Sequence, residues 1–114
     1  MAITEKKVSE TLRAIGIPVN NYGFTYIKAA MLLLAQDEDY LHNLCKGLYV
    51  EISKQYKTMP SRVERAIRHS IESIYMRGDI EKAAFLGTPD PNTGKLKNGE
   101  FLGMLYEHLK FSEE

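Results

Sequence analysis

Apolar residues return at three- and four-residue intervals along almost the whole chain, and nowhere do they alternate over the length of a strand. That period belongs to amphipathic helices packed on one core, and it leaves no sheet of consequence. Thr4 to Ile15 carries Val8, Leu12 and Ile15 on one face and stops at Gly16-Ile17-Pro18. Asn20-Asn21-Tyr22-Gly23 reads as a turn and cap. It precedes a helix from Phe24 to Gln36 that is apolar nearly all round, as a central helix should be. Asp37-Glu38-Asp39 favours a fresh helix start through capping and the dipole. Tyr40, Leu44 and Leu48 follow, and Gly47 is expected to divide a short helix from a second one ending near Tyr56.

Lys57-Thr58-Met59-Pro60 is a short break. Proline is tolerated in a first helical turn but not in a helix interior. Thr58 or Ser61 is therefore expected to cap the next helix, which runs to about Arg77, and Ser61-Arg62-Val63-Glu64 fits a capping box. Asp79 is expected to cap a short helix through Leu86, and Gly87 to Gly99 is irregular. A last helix from about Gly99 to Phe111 buries Phe101, Leu105 and Leu109. The expectation is an all-α fold: a compact bundle of about six helices forming a single domain over residues 1–114.

A chain of 114 residues holds one domain and can bury one core without staples. Its single cysteine, Cys45, excludes an intramolecular disulfide and a multi-cysteine zinc site. The apolar run from Ala29 to Ala35 is far too short to span a bilayer. The lysines at the N-terminus have no apolar stretch behind them, so no signal peptide is read there and a cytoplasmic location is expected.

Zero net charge argues mildly against nucleic acid, but the average hides a distribution. Residues 54–77 carry six basic side chains (Lys54, Lys57, Arg62, Arg65, Arg68 and Arg77) against two acidic ones. Residues 78–114 carry four basic and seven acidic. A local excess of that size is an electrostatic footprint concealed by a sequence pI near 6.8.

The basic segment is also patterned. With Arg62 at 0° and steps of about 100° per residue, Val63, Ala66, Ile67, Ser70, Ile71 and Ile74 fill one arc. Arg62, Arg65, Arg68 and His69 fall on the opposite side, within the first turns, and Glu64 lies on a flank four residues before Arg68. A helix with Leu48, Ile52 and Tyr56 inward, a short turn, and a second helix displaying arginine outward make the helix-turn-helix pattern. In a major groove arginine can pair with guanine O6 and N7, and glutamate can accept from cytosine N4. Basic residues further round reach phosphates. A charged outer face is more often simply solvated, so the pattern alone leaves both readings open.

Ser61-Arg62-Val63-Glu64-Arg65-Ala66-Ile67-Arg68-His69 resembles the recognition helix of the C-terminal effector domain of the sporulation master response regulator, the stage 0 sporulation protein A family. Ile15-Gly16-Ile17-Pro18, Tyr22 to Ile27, Leu48-Tyr49, Met76 to Ile80 and Glu100-Phe101-Leu102 follow the same family in order, so the resemblance covers nearly the whole chain. It implies a DNA-binding domain that reads promoter boxes and regulates transcription, with Arg62, Glu64 and Arg65 on bases. Ser61, Arg68, His69 and Lys57 would lie at the backbone. It also implies contact with the sigma subunit of RNA polymerase through the segment around Asp79, Glu81 and Lys82. A homodimer on DNA is a further candidate assembly, although the sequence does not give the oligomeric state. The chain departs from the family at Val50, where the family has proline, and after Leu86, where Gly87-Thr88-Pro89-Asp90-Pro91-Asn92 looks shorter and rewritten. It has no room for a receiver domain, which reads as either an excised domain or a stand-alone relative.

Other features point less far. His42 and Cys45 are better read as a polar neighbour beside a buried thiol than as part of a metal site. His108 reads as a surface residue. The tyrosines read as core-edge residues with a polar tip, without the exposed rings beside lysines that a single-strand platform requires. Asn92-Thr93-Gly94-Lys95 lacks phosphate-loop spacing. No nucleophile has an evident base and orienter, so no enzyme and no cofactor are expected. The rival function is a protein-interaction module that keeps the fold but binds polymerase or another regulator rather than DNA.

Overall fold

The computed structural model describes residues 3–77, 81, 83–87, 91–92, 94 and 96–112. Among them every regular element is helical. Helix α1 spans Glu5–Ala14, and the Thr4 side chain caps it by accepting from the Lys7 N–H. Val8 and Leu12 are its buried stripe. Helix α2, Tyr22–Gln36, starts two residues before Phe24 because Asn21 supplies the cap, its side chain accepting from the Gly23 N–H at 2.7 Å. Most of α2 is buried, as its apolar circumference demands.

A 3-10 turn at Glu38–His42 follows, capped by the Asp37 carboxylate on the Asp39 N–H. A π-helical turn at Leu44–Leu48 leads into α3, Tyr49–Gln55. The division falls at Asn43 rather than at the expected Gly47. Asn43 leaves helical geometry (φ −150°, ψ 64°), and its carbonyl accepts from both Gly47 and Leu48. Gly47 lies inside the turn that this carbonyl organises.

Helix α4 spans Pro60–Arg77. Pro60 is its first residue, where the missing N–H costs nothing. Neither Thr58 nor Ser61 occupies the position before the helix. That residue is Met59, whose carbonyl accepts from Arg62 and Val63, so the expected capping box is not formed. The described part of the expected helix from Asp79 to Leu86 is a 3-10 turn at Ala84–Leu86. It ends at Gly87 with φ 90°, a conformation that disfavours any side chain. Helix α5, Asn98–Phe111, begins with the Glu100 carboxylate accepting from the Lys97 N–H.

The five α-helices among the described residues feed one core, with Leu12, Ile27, Met31, Ile52, Ile67 and Phe101 essentially inaccessible. The tightest joint is between α2 and α4. A Cβ on Gly23 would lie 1.7 Å from Ser70 Oγ and 2.6 Å from the Ala66 carbonyl oxygen, so only glycine lets the two backbones approach this closely. Helix α5 is tied to the 3-10 turn by Tyr106 Oη and Lys110 Nζ, both donating to Glu38 Oε2. Burial, then the hydrogen bond to Glu38, pushes the Tyr106 phenol up to about 12. Helix α1 is joined to the residue after α5 where Lys7 Nζ donates to the Ser112 carbonyl.

Three side chains sit otherwise than expected. Cys45 is exposed, because the π-helical turn carries it outward. Tyr56 is 43% exposed, since α3 ends at Gln55 and its ring only edges onto Tyr26. His108 is half-buried, its ring stacked on Phe85 at 3.9 Å, and burial, then the nearby Lys7 charge, lowers its affinity for a proton.

Candidate nucleic-acid interface

The candidate interface begins at the end of α3. Tyr56 is the last residue before the chain turns, and Lys57 follows with φ 53°. The Thr58 N–H then returns to the Ser53 carbonyl at 3.0 Å. This closes the helix with the six-to-one bond of a Schellman motif, whose left-handed position most often holds glycine. The strain fixes Lys57 at the corner beside α4 with its side chain exposed. Lys57→Gly should therefore raise stability by about 1 kcal/mol in denaturant titration. If Lys57 touches a phosphate, the same change weakens DNA binding.

Helix α4 divides as the wheel requires. Val63, Ile67, Ile71 and Ile74 are fully buried, as is Ser70, and Ala66 is partly covered. Ser61, Arg62, Arg65 and His69 are exposed and stand three and four residues apart, so they share one face. Arg68 and Glu64 lie half-buried on the flank. Arg68 Nη1 donates to Glu64 Oε1 at 2.9 Å and to Oε2 at 2.8 Å. This ion pair leaves the remaining donors of the Arg68 fork free. The ion pairs among the described residues engage Arg68 but neither Arg62 nor Arg65. The partial positive charge of the helix N-terminus adds to theirs.

Neighbouring elements grip α4 on both flanks. On one side Gly23 meets Ala66 and Ser70, and Ser70 Oγ lies 3.5 Å from Asn21 Oδ1. On the other, Asn98 Nδ2 donates to the Glu64 carbonyl at 3.1 Å and to Tyr49 Oη at 3.0 Å. One side-chain amide thus fastens α3, α4 and α5 together. Asn98 was not singled out from sequence, because its partners lie far along the chain; a polar residue at a helix start was the only signal.

The chain matches the family described as Sporulation initiation factor Spo0A C terminal over residues 8–109. The match takes in every helix whose faces are described above except the first turn of α1 and the last residues of α5. The chain belongs to the Spo0A C-terminal family. The matched residues include the run from Ser61 to His69 on α4, and membership connects the chain to regulation of sporulation. Of the segment expected to meet a sigma subunit, Glu81 is exposed, whereas Asp79 and Lys82 lie outside the described residues.

Among the described residues no group of three or more His, Cys, Asp or Glu is placed to hold a metal ion, and no helix is long and apolar enough to cross a membrane. The tyrosines differ from expectation. Tyr22 is 74% exposed and its ring stacks on buried Tyr26 at 6.1 Å, while Tyr56 meets the same Tyr26 edge-on at 5.6 Å. Two exposed rings therefore flank one buried ring, across α2 and the end of α3, which the sequence alone does not bring together.

Proposed function

We propose that α3, the turn of residues 56–59 and α4 act as a helix-turn-helix that binds duplex DNA sequence-specifically and regulates transcription in a sporulation or stationary-phase programme. The observation that carries this reading is that Arg62 and Arg65 are exposed, and without an ion pair among the described residues, on the first half of a helix whose other side is sealed in the core. Inserted N-terminus first into a major groove, Arg62 and Arg65 reach guanine edges and Glu64 accepts from cytosine. Ser61, Arg68, His69 and Lys57 lie at phosphates, which adds affinity without reading sequence. A homodimer on DNA and a sigma-subunit contact around Asp79, Glu81 and Lys82 belong to the same reading, as does a cytoplasmic location.

Enrichment from a promoter library at moderate salt tests it. Recovery of one motif supports DNA reading. No binding even at low salt supports the rival, a family member that binds polymerase or another regulator through the same fold. Single variants then separate the roles. Arg65→Ala should weaken cognate binding by about 1–3 kcal/mol and scrambled duplex less. Arg68→Ala should weaken both evenly and lower the salt slope by about one unit. Glu64→Ala should relax one base pair while raising non-specific affinity, since a negative charge leaves the surface. A salt series on cognate and scrambled duplexes reads all three. Equal, sequence-independent losses for both arginine variants would leave only a basic surface.

A further inference from the structure

We propose that Tyr22 and Tyr56 form an uncharged contact with the DNA backbone along one wall of the groove that α4 enters. The inference rests on the reading of α4 as a recognition helix and adds to it a second kind of contact.

Position carries the argument. On the wheel with Arg62 at 0°, Ala66 and Ser70 stand at about 40° and 80°, between the exposed face and the core. Residues 21–23 pack at that edge, because Gly23 meets both Ala66 and Ser70. Tyr22, the first residue of α2, is covalently next to this joint and is 74% exposed. From there the rings run through Tyr26, one turn along α2, to Tyr56 at the corner before α4. The row thus runs from the joint at Ala66 and Ser70, near the middle of α4, towards the turn that precedes α4. Glu64 and Arg68 occupy the opposite flank, at about 200° and 240°, where Asn98 holds the Glu64 carbonyl.

A helix with its side chains is about as wide as a major groove of about 12 Å. What stands immediately beside a recognition helix therefore faces the sugar-phosphate walls, not the bases. One wall meets the charged Arg68. The other meets two phenol hydroxyls and the Lys57 ammonium. Among the described residues no protein group accepts from either hydroxyl. The buried Tyr26 ring restrains both neighbours, so little side-chain freedom is lost when a phosphate oxygen accepts from them. The placement of the two rings beside α4 selects duplex backbone over a second copy of the chain.

The chemistry gives a distinctive signature. A phenol that donates to phosphate releases no counterion, so its loss lowers affinity without changing the salt slope. The test is the pair Tyr22→Phe and Tyr56→Phe, singly and together, in the full chain, on cognate and scrambled duplexes over a salt series. Thermal melts check that the fold is kept. The double variant should lose roughly tenfold in affinity on both duplexes, with the salt slope of the parent. Tyr22→Ala should lose at least as much as Tyr22→Phe. Unchanged affinity in the double variant, beside a cognate loss in Arg65→Ala, would overturn this inference and leave the recognition helix standing. So would a loss confined to the cognate duplex, or a change in oligomeric state measured by sedimentation without DNA. Absence of binding by the parent would overturn both readings.

Discussion

Gly23→Ala is expected to destabilise the domain by about 3 kcal/mol, a large share of what holds a domain of this size together. The added methyl would stand 1.7 Å from Ser70 Oγ, 2.9 Å from Ser70 Cβ and 2.6 Å from the Ala66 carbonyl oxygen. The hydroxyl can rotate away. The carbonyl belongs to the backbone of α4 and cannot. Helix α2 must therefore lift from α4 at the joint that sets the basic face of α4 against the rest of the fold. Gly23→Ala/Ser70→Ala should recover only part of the loss, since it clears the hydroxyl and leaves the carbonyl contact. Urea titration of the single and double variants reads both effects. A single variant within about 0.5 kcal/mol of the parent, the range of ordinary surface changes, would mean that the helices do not approach as described.

Ile67→Ala should cost roughly 2–5 kcal/mol. Ile67 is fully buried at the middle of the inward stripe of α4, between Val63 and Ile71 and within the cluster that α2, α3 and α5 complete. Truncation removes apolar contact and leaves a cavity that four packed helices can close only in part. The lost residue sits between Arg65 and His69 in the chain, yet its side chain points the other way. Residual DNA affinity measured at temperatures where the variant is still folded should therefore stay near the parent's. Denaturant titration showing a loss below about 0.5 kcal/mol would place the inward stripe elsewhere on α4.

The division of α4 into a sealed side and a basic side was legible in the sequence because it depends on spacing alone. Val63, Ile67, Ile71 and Ile74 fall on one arc whatever surrounds them, and all four are buried. The ends of elements were less legible. Gly47 looked like the break and Asn43 made it, because the break follows from which carbonyl collects the next N–H groups. Pro60 opened α4 without the serine or threonine cap that composition suggested, since Met59 supplies the accepting carbonyl. Features that depend on two distant segments were invisible. The need for glycine at position 23 lies in Ser70 and Ala66, and Ser70 approaches Asn21 from 49 positions away. The tyrosine row likewise exists only once α2 crosses the end of α3. The basic excess in residues 54–77 was countable beforehand. That Glu64 holds Arg68 while, among the described residues, Arg62 and Arg65 make no ion pair needed side-chain positions as well.

The central claim is that Arg62 and Arg65 on α4 read guanine in the major groove, and methylation interference measures that most directly. Dimethyl sulfate places a methyl on guanine N7, on the floor of the major groove, where paired arginine contacts form. With an enriched duplex, methylation at specific guanines should exclude fragments from the complex. In Arg65→Ala, interference should vanish at one of those guanines and persist at the others. A parent protein that binds its enriched duplex equally well whether or not any guanine N7 is methylated would contradict the account.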